Sequence, residues 1–161
     1  MNDPIAASLA SGRGKTGSGS KLIVYDLGGG TFDVSLLSID EGVYKVLATA
    51  GDTHLGGEDF DNRVIDYLIK THNKKTGTDV SRNQRAMSKL KMAVELAKRT
   101  LSMHHSAKIV IENFENGNTF VRTLMRAEFE ELNLDLFKRT MNLVEQVLKD
   151  AELTKSEIDE V

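Results

Sequence analysis

One glycine-rich turn near the start of the chain carries the residues best suited to chemistry. Its candidate residues are a triple-glycine run and three polar neighbours: Gly28, Gly29, Gly30, Asp26, Thr31 and Asp33. Successive amides that no side chain covers can form a concave nest for an anion. A threonine hydroxyl can add a hydrogen bond, and carboxylates can hold a cation or its waters. We therefore predict a phosphate site with a metal ion; the alternative is an ordinary tight turn.

Two strands are predicted to hold this turn. The run Leu22–Tyr25 is wholly apolar, which is typical of a strand buried on both faces. From Phe32 to Leu36 apolar and polar residues alternate, as in a half-buried strand. Because glycine accepts positive φ, we expect the Gly-Gly turn to adopt the tight primed geometry of hairpins. Residues 43–50 are rich in β-formers and predict a third strand.

A second glycine pair precedes a predicted helix. Gly56 and Gly57 are followed by Phe60, Val64 and Leu68 at helical spacing. Gly57 therefore lies near a helix N-terminus, where its backbone can face an anion. A glycine at a strand-to-helix corner is the alternative interpretation.

A polar helical face supplies a second candidate site. Within a helix predicted over about residues 81–103, four residues fall at spacings i, i+3, i+4 and i+7: Glu95, Lys98, Arg99 and Ser102. A carboxylate and an ammonium can bond ribose hydroxyls, a guanidinium can stack on a base, and a serine can reach the base edge. We predict a nucleoside-binding face; a ladder of salt bridges has the same spacing.

The rest of the chain predicts a hairpin and a long helix. Two strands over 107–114 and 119–125 are joined by Asn116-Gly117, a strong hairpin signal. A helix is predicted over 126–151 with a break near Asn133, followed by a short turn at 154–157 and the start of another strand.

The first twenty residues predict a short helix and a linker. Residues 1–11 contain Pro4 in a first helical turn, and residues 12–20 have the glycine and serine content of a linker. Gly14-Lys15-Thr16 imitates the end of a P-loop, but Leu9 stands where that motif requires glycine. We therefore interpret this stretch as a linker.

Composition excludes several classes of protein. The chain has 161 residues, 40% hydrophobic and 28% charged, which is typical of a soluble globular protein. No apolar run approaches the roughly 20 residues of a membrane helix. The net charge of −3 argues against nucleic-acid binding, and the lack of cysteine excludes disulfides and thiolate chemistry. No targeting signal is visible in residues 1–10. The compartment is left undecided between the cytoplasm and the lumen of the endoplasmic reticulum.

Four segments of the sequence resemble the nucleotide-binding domain of the seventy-kilodalton heat shock protein chaperones. Residues 26–35 resemble the family's second phosphate-binding hairpin, and residues 51–61 resemble its next signature block. Residues 97–102 and 126–133 are also similar to the family. The resemblance covers nearly the whole chain and implies a mixed α/β fold, an actin-like ATPase lobe. It also implies a sheet-based subdomain over 21–53 and 126–161 and a helical and hairpin subdomain over 54–125.

The resemblance also implies ligands and partners. The ligands would be ATP or ADP with Mg²⁺ and K⁺, and the partners nucleotide exchange factors and J-domain co-chaperones. The glycines of the turn, Thr31 and Gly57 would contact phosphates, Asp26 and Asp33 would serve the metal ions, and the polar helical face would hold adenosine. Asp3 is a further metal candidate, because Asn2-Asp3-Pro4-Ile5 stands where the family has Asn-Glu-Pro-Thr. Its carboxylate is one methylene shorter.

Other parts of the family pattern have no counterpart in this sequence. These are the first lobe with its catalytic lysine, a Gly-Gly-Ser-Thr-Arg segment after Val161, and the peptide-binding domain. Because phosphoryl transfer needs positioning and charge from several sides, we expect an ATP/ADP-binding lobe that is inactive alone and holds no peptide clients. We also expect an unpaired sheet edge at the C-terminal end. The alternatives are a non-enzymatic fragment that docks exchange factors, or a lobe of another actin-like ATPase such as a sugar kinase.

Overall fold

The computed structural model describes residues 4–6 and 19–161. Residues 4–6 are helical. The remainder of the predicted N-terminal helix, most of the predicted linker and the metal candidate Asp3 lie outside the described residues.

Strands and helices alternate in groups along the described chain. The strands are β1 (Ser20–Leu27), β2 (Phe32–Asp40), β3 (Val43–Asp52), β4 (Ser106–Glu115) and β5 (Asn118–Met125). The helices are α1 (Gly57–Thr76), α2 (Gln84–Leu101), α3 (Arg126–Leu132) and α4 (Leu134–Asp150), with 3₁₀ turns at Val80–Arg82 and Lys155–Glu157. The predicted mixed α/β class, with antiparallel sheets and helices, is confirmed. One compact unit comprises Met1–Gly57 and Leu136–Val161, and a second comprises Glu58–Asp135.

The first unit is built on an antiparallel sheet of order β1-β2-β3. Alternate residues of β2, Phe32, Val34 and Leu36, are fully buried on one face. On the other face Leu37 and Ile39 form a cluster with Leu22 of β1. Burial on both faces explains why the β1 and β2 sequences are so apolar, because side chains on either face of the sheet pack into a hydrophobic core.

The last residues of the chain pair with the edge of β1. The Ile23 amide donates to the Glu160 carbonyl at 3.0 Å, and the Asp159 amide donates to the Lys21 carbonyl at 2.9 Å. This pairing is parallel. The predicted strand start is therefore confirmed at the bridge between Leu22 and Glu160. The expected unpaired edge at the C-terminal end stays a prediction.

The second unit contains α1, α2, α3 and the β4–β5 hairpin. α2 begins later than predicted, because the Asn83 side chain accepts a hydrogen bond from the Ala86 amide and caps the helix there. The preceding residues form a separate 3₁₀ turn. At 20 residues α1 is longer than the 18-residue α2, and it ends at Thr76, before Gly77 with φ +73°.

Two local predictions in this unit are confirmed. Asn116 and Gly117 have φ values of 50° and 79°, the left-handed pair that a primed hairpin turn requires. α3 ends at Leu132, and the buried side chain of Asn133 donates to the Phe129 carbonyl at 3.0 Å, which marks the predicted helix break. No helix among the described residues is long and apolar enough to span a membrane.

Candidate functional site

The glycine turn connects β1 to β2 through four residues. Leu27 pairs with Phe32, and the Gly28 amide donates to the Thr31 carbonyl at 2.9 Å. None of the three glycines has a positive φ. The expected primed geometry is therefore wrong, because a four-residue connection reverses the chain without left-handed residues.

The second glycine pair packs directly on this turn. The Gly57 amide donates to the Gly28 carbonyl at 2.9 Å. A Cβ atom placed on Gly56 would lie 2.4 Å from the Gly29 carbonyl oxygen and 2.5 Å from the Gly30 amide nitrogen. Only a residue without a side chain permits this approach. Gly56, which the sequence did not single out as a site residue, therefore holds the turn, while the Gly57 amide serves the protein's own backbone.

The tip of the turn is open and carries backbone donors. Gly29, Gly30 and Thr31 are exposed, and an added Cβ on either glycine would meet no atom within 4 Å. Within the described part of the chain, the amides of Gly29 and Gly30 have no hydrogen-bond partner. Unobstructed amides beside a hydroxyl suit phosphate oxygens, so these residues fit the predicted anion.

Two candidate metal ligands lie beside the turn. Asp26 and Asp33 are direct partners across β1 and β2, so their exposed side chains share one face of the sheet. A Cβ on Gly51 of β3 would lie 2.5 Å from Asp33 Oδ1, so the Asp33 carboxylate lies over that glycine. Two opposed carboxylates repel each other unless a cation compensates them.

This donor set fits Mg²⁺ bound together with phosphate. Mg²⁺ commonly takes one or two carboxylates and completes its shell with water and phosphate oxygens. Among residues 4–6 and 19–161, no group of three or more metal-ligating side chains occurs. Asp26 and Asp33 could therefore supply only part of such a shell. Their binding of Mg²⁺, the binding of K⁺ and the role of Asp3 stay predictions.

Asp52 anchors the end of β3 within the first unit. Its Oδ1 accepts a hydrogen bond from the His54 amide at 2.8 Å, and its Oδ2 accepts one from the Arg139 guanidinium of α4. The His54 amide, and then Arg139, hold the pKa of the Asp52 carboxyl below its ordinary value. These contacts connect β3, the loop before Gly56 and α4.

Replacing Asp52 is expected to change the acid stability of the chain. Because its folded-state pKa is lowered, the ionised group stabilises the fold above the ordinary carboxyl pKa of about 3.9. That contribution is lost as the pH falls through the lowered folded-state pKa. We expect Asp52→Asn to lower the thermal midpoint at neutral pH and to weaken its further fall in acid. Thermal midpoints measured across acidic pH test this expectation, and Asp66→Asn, at an exposed position, is the control. If the midpoints of Asp52→Asn and of the parent fell in parallel as the pH is lowered, the expectation would be contradicted.

The predicted nucleoside face lies on α2 in the second unit. Arg99 donates to Glu95 Oε1 at 2.5 Å, while Lys98 donates to Asp61 Oδ2 of α1 at 2.6 Å. Ser102 is exposed and follows the last residue of the helix. The Glu95–Arg99 pair corresponds to the salt-bridge alternative. Because those side chains are 47% and 74% exposed, the pair is weak and accessible to a ligand.

Asp61 is the residue of this region that the sequence interpretation missed. Its side chain is only 5% exposed and lies within the buried stripe of α1 with Phe60, Val64 and Ile65. Burial raises the pKa of the Asp61 carboxyl, although Lys98 acts in the opposite direction. A carboxylate at a position of the apolar helical stripe was the signal that could have revealed it.

One model of a known protein family matches the whole chain. The model described as Hsp70 protein matches residues 1–161. The matched range includes the glycine turn, its two flanking carboxylates and the polar face of α2.

Proposed function

Since this chain belongs to the Hsp70 family of chaperone ATPases, we propose that it binds an adenine nucleotide, ATP or ADP, with Mg²⁺. Members of the family generally bind ATP or ADP with Mg²⁺ and generally work with J-domain proteins and nucleotide exchange factors. In this proposal the glycine turn of the first unit contacts the phosphates. The polar face of α2, Glu95, Lys98, Arg99 and Ser102, contacts the adenosine.

The packing of Gly56 and Gly57 against the turn is the observation that carries this proposal. It holds the backbone of Gly28–Gly30 from one side, while the Gly29 and Gly30 amides have no hydrogen-bond partner among the described residues. Donors that are held in place before an anion arrives lose little entropy when it binds.

The metal would be held at the carboxylates beside this turn. Mg²⁺ supplies positive charge that neutralises phosphate oxygens. Asp26 and Asp33 would bind the ion or its waters, and Thr31 would donate its hydroxyl to a phosphate oxygen. Positive charge there would also relieve the repulsion of the two opposed carboxylates.

Calorimetric titration of the chain with Mg-ADP tests the nucleoside contacts. We expect measurable heat from the parent chain and an affinity lowered by about tenfold in Lys98→Ala and in Arg99→Ala. The first change removes a charged hydrogen bond to the ribose, and the second removes the guanidinium that stacks on the base. Arg85→Ala, an exposed arginine on the same helix, is the matched control and should bind like the parent. A flat trace for a folded parent chain would refute nucleotide binding.

A second candidate function is the docking of a nucleotide exchange factor by the second unit. Met92 and Leu96 lie one turn apart on α2 and are 73% and 67% exposed. Large exposed apolar side chains on one helical face are typical of protein contact surfaces. Binding of an exchange factor that persists when the Mg-ADP trace is flat would favour this candidate over the first.

A further inference from the structure

We propose that Asp61 is a positioning residue, which holds the Lys98 ammonium at a set place on the polar face of α2 for contact with the ribose. This inference rests on the proposed nucleotide-binding function. The inference assigns a role to Asp61 of α1, whose side chain is only 5% exposed and so acts through Lys98.

The contacts distinguish Lys98 from the other residues of the face. Arg99 pairs with Glu95 one turn earlier on its own helix, and both side chains are largely solvated. Lys98 instead crosses to α1, where its Nζ lies 2.6 Å from Asp61 Oδ2, with side-chain exposures of 25% and 5%. The position of Nζ is thus set by a neighbouring helix.

Stability alone does not account for this buried pair. Asp61 Oδ1 is buried and has no hydrogen-bond partner among the described residues, so part of the carboxylate's desolvation is uncompensated. Buried ion pairs are often no more stabilising than apolar side chains of similar volume. An apolar residue would also continue the stripe formed by Phe60, Val64 and Ile65. A buried carboxylate in an apolar helical stripe departs from the usual hydrophobic pattern, and such departures are expected at functional positions.

Holding Lys98 has a direct benefit for binding. A lysine has a flexible four-carbon stem, and ordering it when a ligand arrives lowers affinity. The ammonium carries three N–H donors, and one of them is directed at Asp61 Oδ2. The pair therefore orders the lysine stem before the ligand arrives.

The first arm of the test examines the ion pair in the ligand-free chain. The ¹H–¹⁵N resonance of the Lys98 ammonium should be observable in the parent, because hydrogen bonding to a buried carboxylate slows proton exchange. It should shift or vanish in Asp61→Asn. Glu58→Gln is the matched control, because it removes a different ion pair between the same two helices. In that exposed pair, Glu58 Oε2 lies 3.8 Å from Lys91 Nζ. That control should leave the Lys98 resonance unchanged.

The second arm measures Mg-ADP affinity in a double-mutant cycle. We expect Asp61→Asn to weaken binding by about tenfold in the parent and by less than about twofold in the Lys98→Ala background. Glu58→Gln should bind like the parent. If Asp61→Asn does not fold, Asp61→Glu keeps the charge but moves the carboxylate by one methylene, and it should also weaken binding.

The double-mutant cycle separates positioning from a structural role, with thermal unfolding as its control. Asp61→Asn takes the carboxylate away from the largely buried Lys98 ammonium, so a lower thermal midpoint is expected. Mg-ADP is therefore titrated well below the midpoint of every variant, where all of them are folded. A loss of affinity that is equal in the parent and in the Lys98→Ala background would show a structural role only and would overturn the proposal. So would a parent-like affinity or an unchanged Lys98 resonance. A flat Mg-ADP trace for the parent would instead refute the proposed function and this inference with it.

Discussion

Gly56→Ala is expected to destabilise the chain by about 1–3 kcal/mol and to displace the glycine turn. The new Cβ would lie 2.4 Å from the Gly29 carbonyl oxygen and 2.5 Å from the Gly30 amide nitrogen. Both neighbours are backbone atoms, so neither can move aside as a flexible side chain would. Urea unfolding measures the loss of stability, and titration with Mg-ADP measures the consequence for the proposed phosphate contacts.

Gly29→Ala is the matched control for this substitution. An added Cβ at Gly29 would meet no atom within 4 Å, and its φ is not positive, so stability should stay within about 0.5 kcal/mol of the parent. The methyl group would nevertheless stand at the open tip, where we place the phosphates, and should weaken Mg-ADP binding. A parent-like urea midpoint for Gly56→Ala would show that the turn is not held as described.

Phe32→Ala is expected to lower the free energy of unfolding by about 3–5 kcal/mol. Phe32 is fully buried at the base of the turn, where it pairs with Leu27 of β1 and Asp52 of β3. Removing its ring would leave a cavity beneath the turn. Since domains are stable by only about 5–15 kcal/mol, this is a large share of the total. Urea unfolding monitored by circular dichroism measures the effect.

Tyr25→Ala provides the comparison for the Phe32 result. Its ring centroid lies 4.5 Å from that of Phe32, but Tyr25 is 38% exposed. Truncation of a partly solvated ring loses less transfer free energy and leaves no closed cavity, so the loss should be clearly smaller. Equal losses for the two variants would contradict the placement of Phe32 in the core.

Sequence patterns predicted most of the elements because their signals are local. Alternation over residues 32–36 follows from the two-residue period of a strand, and Asn116-Gly117 suits left-handed backbone wherever it occurs. Asn133 broke the helix as predicted. Helix ends were harder to predict, since the start of α2 depends on which polar residue becomes the cap, and Asn83 does so.

The glycine turn shows where local reasoning was incomplete. From the sequence, the glycines were expected to allow a primed turn with positive φ, yet none of Gly28, Gly29 and Gly30 has a positive φ. The steric requirement lies at Gly56, because another part of the backbone passes too close for a Cβ atom. Gly51 is similar, since the Asp33 carboxylate occupies the space beside it. Neither requirement is visible in the neighbouring residues of the chain.

By itself the sequence determined the fold class, the hairpins, the helix break and the kinds of side chain available for an anion, a cation and a nucleoside. These follow from backbone preferences and residue chemistry, which act over a few positions. Only the tertiary structure decided that Gly56 packs against the glycine turn and that Lys98 pairs with Asp61 of a neighbouring helix. Such contacts join residues far apart in the chain, and they form only when the packing of whole elements brings specific atoms within a few ångströms.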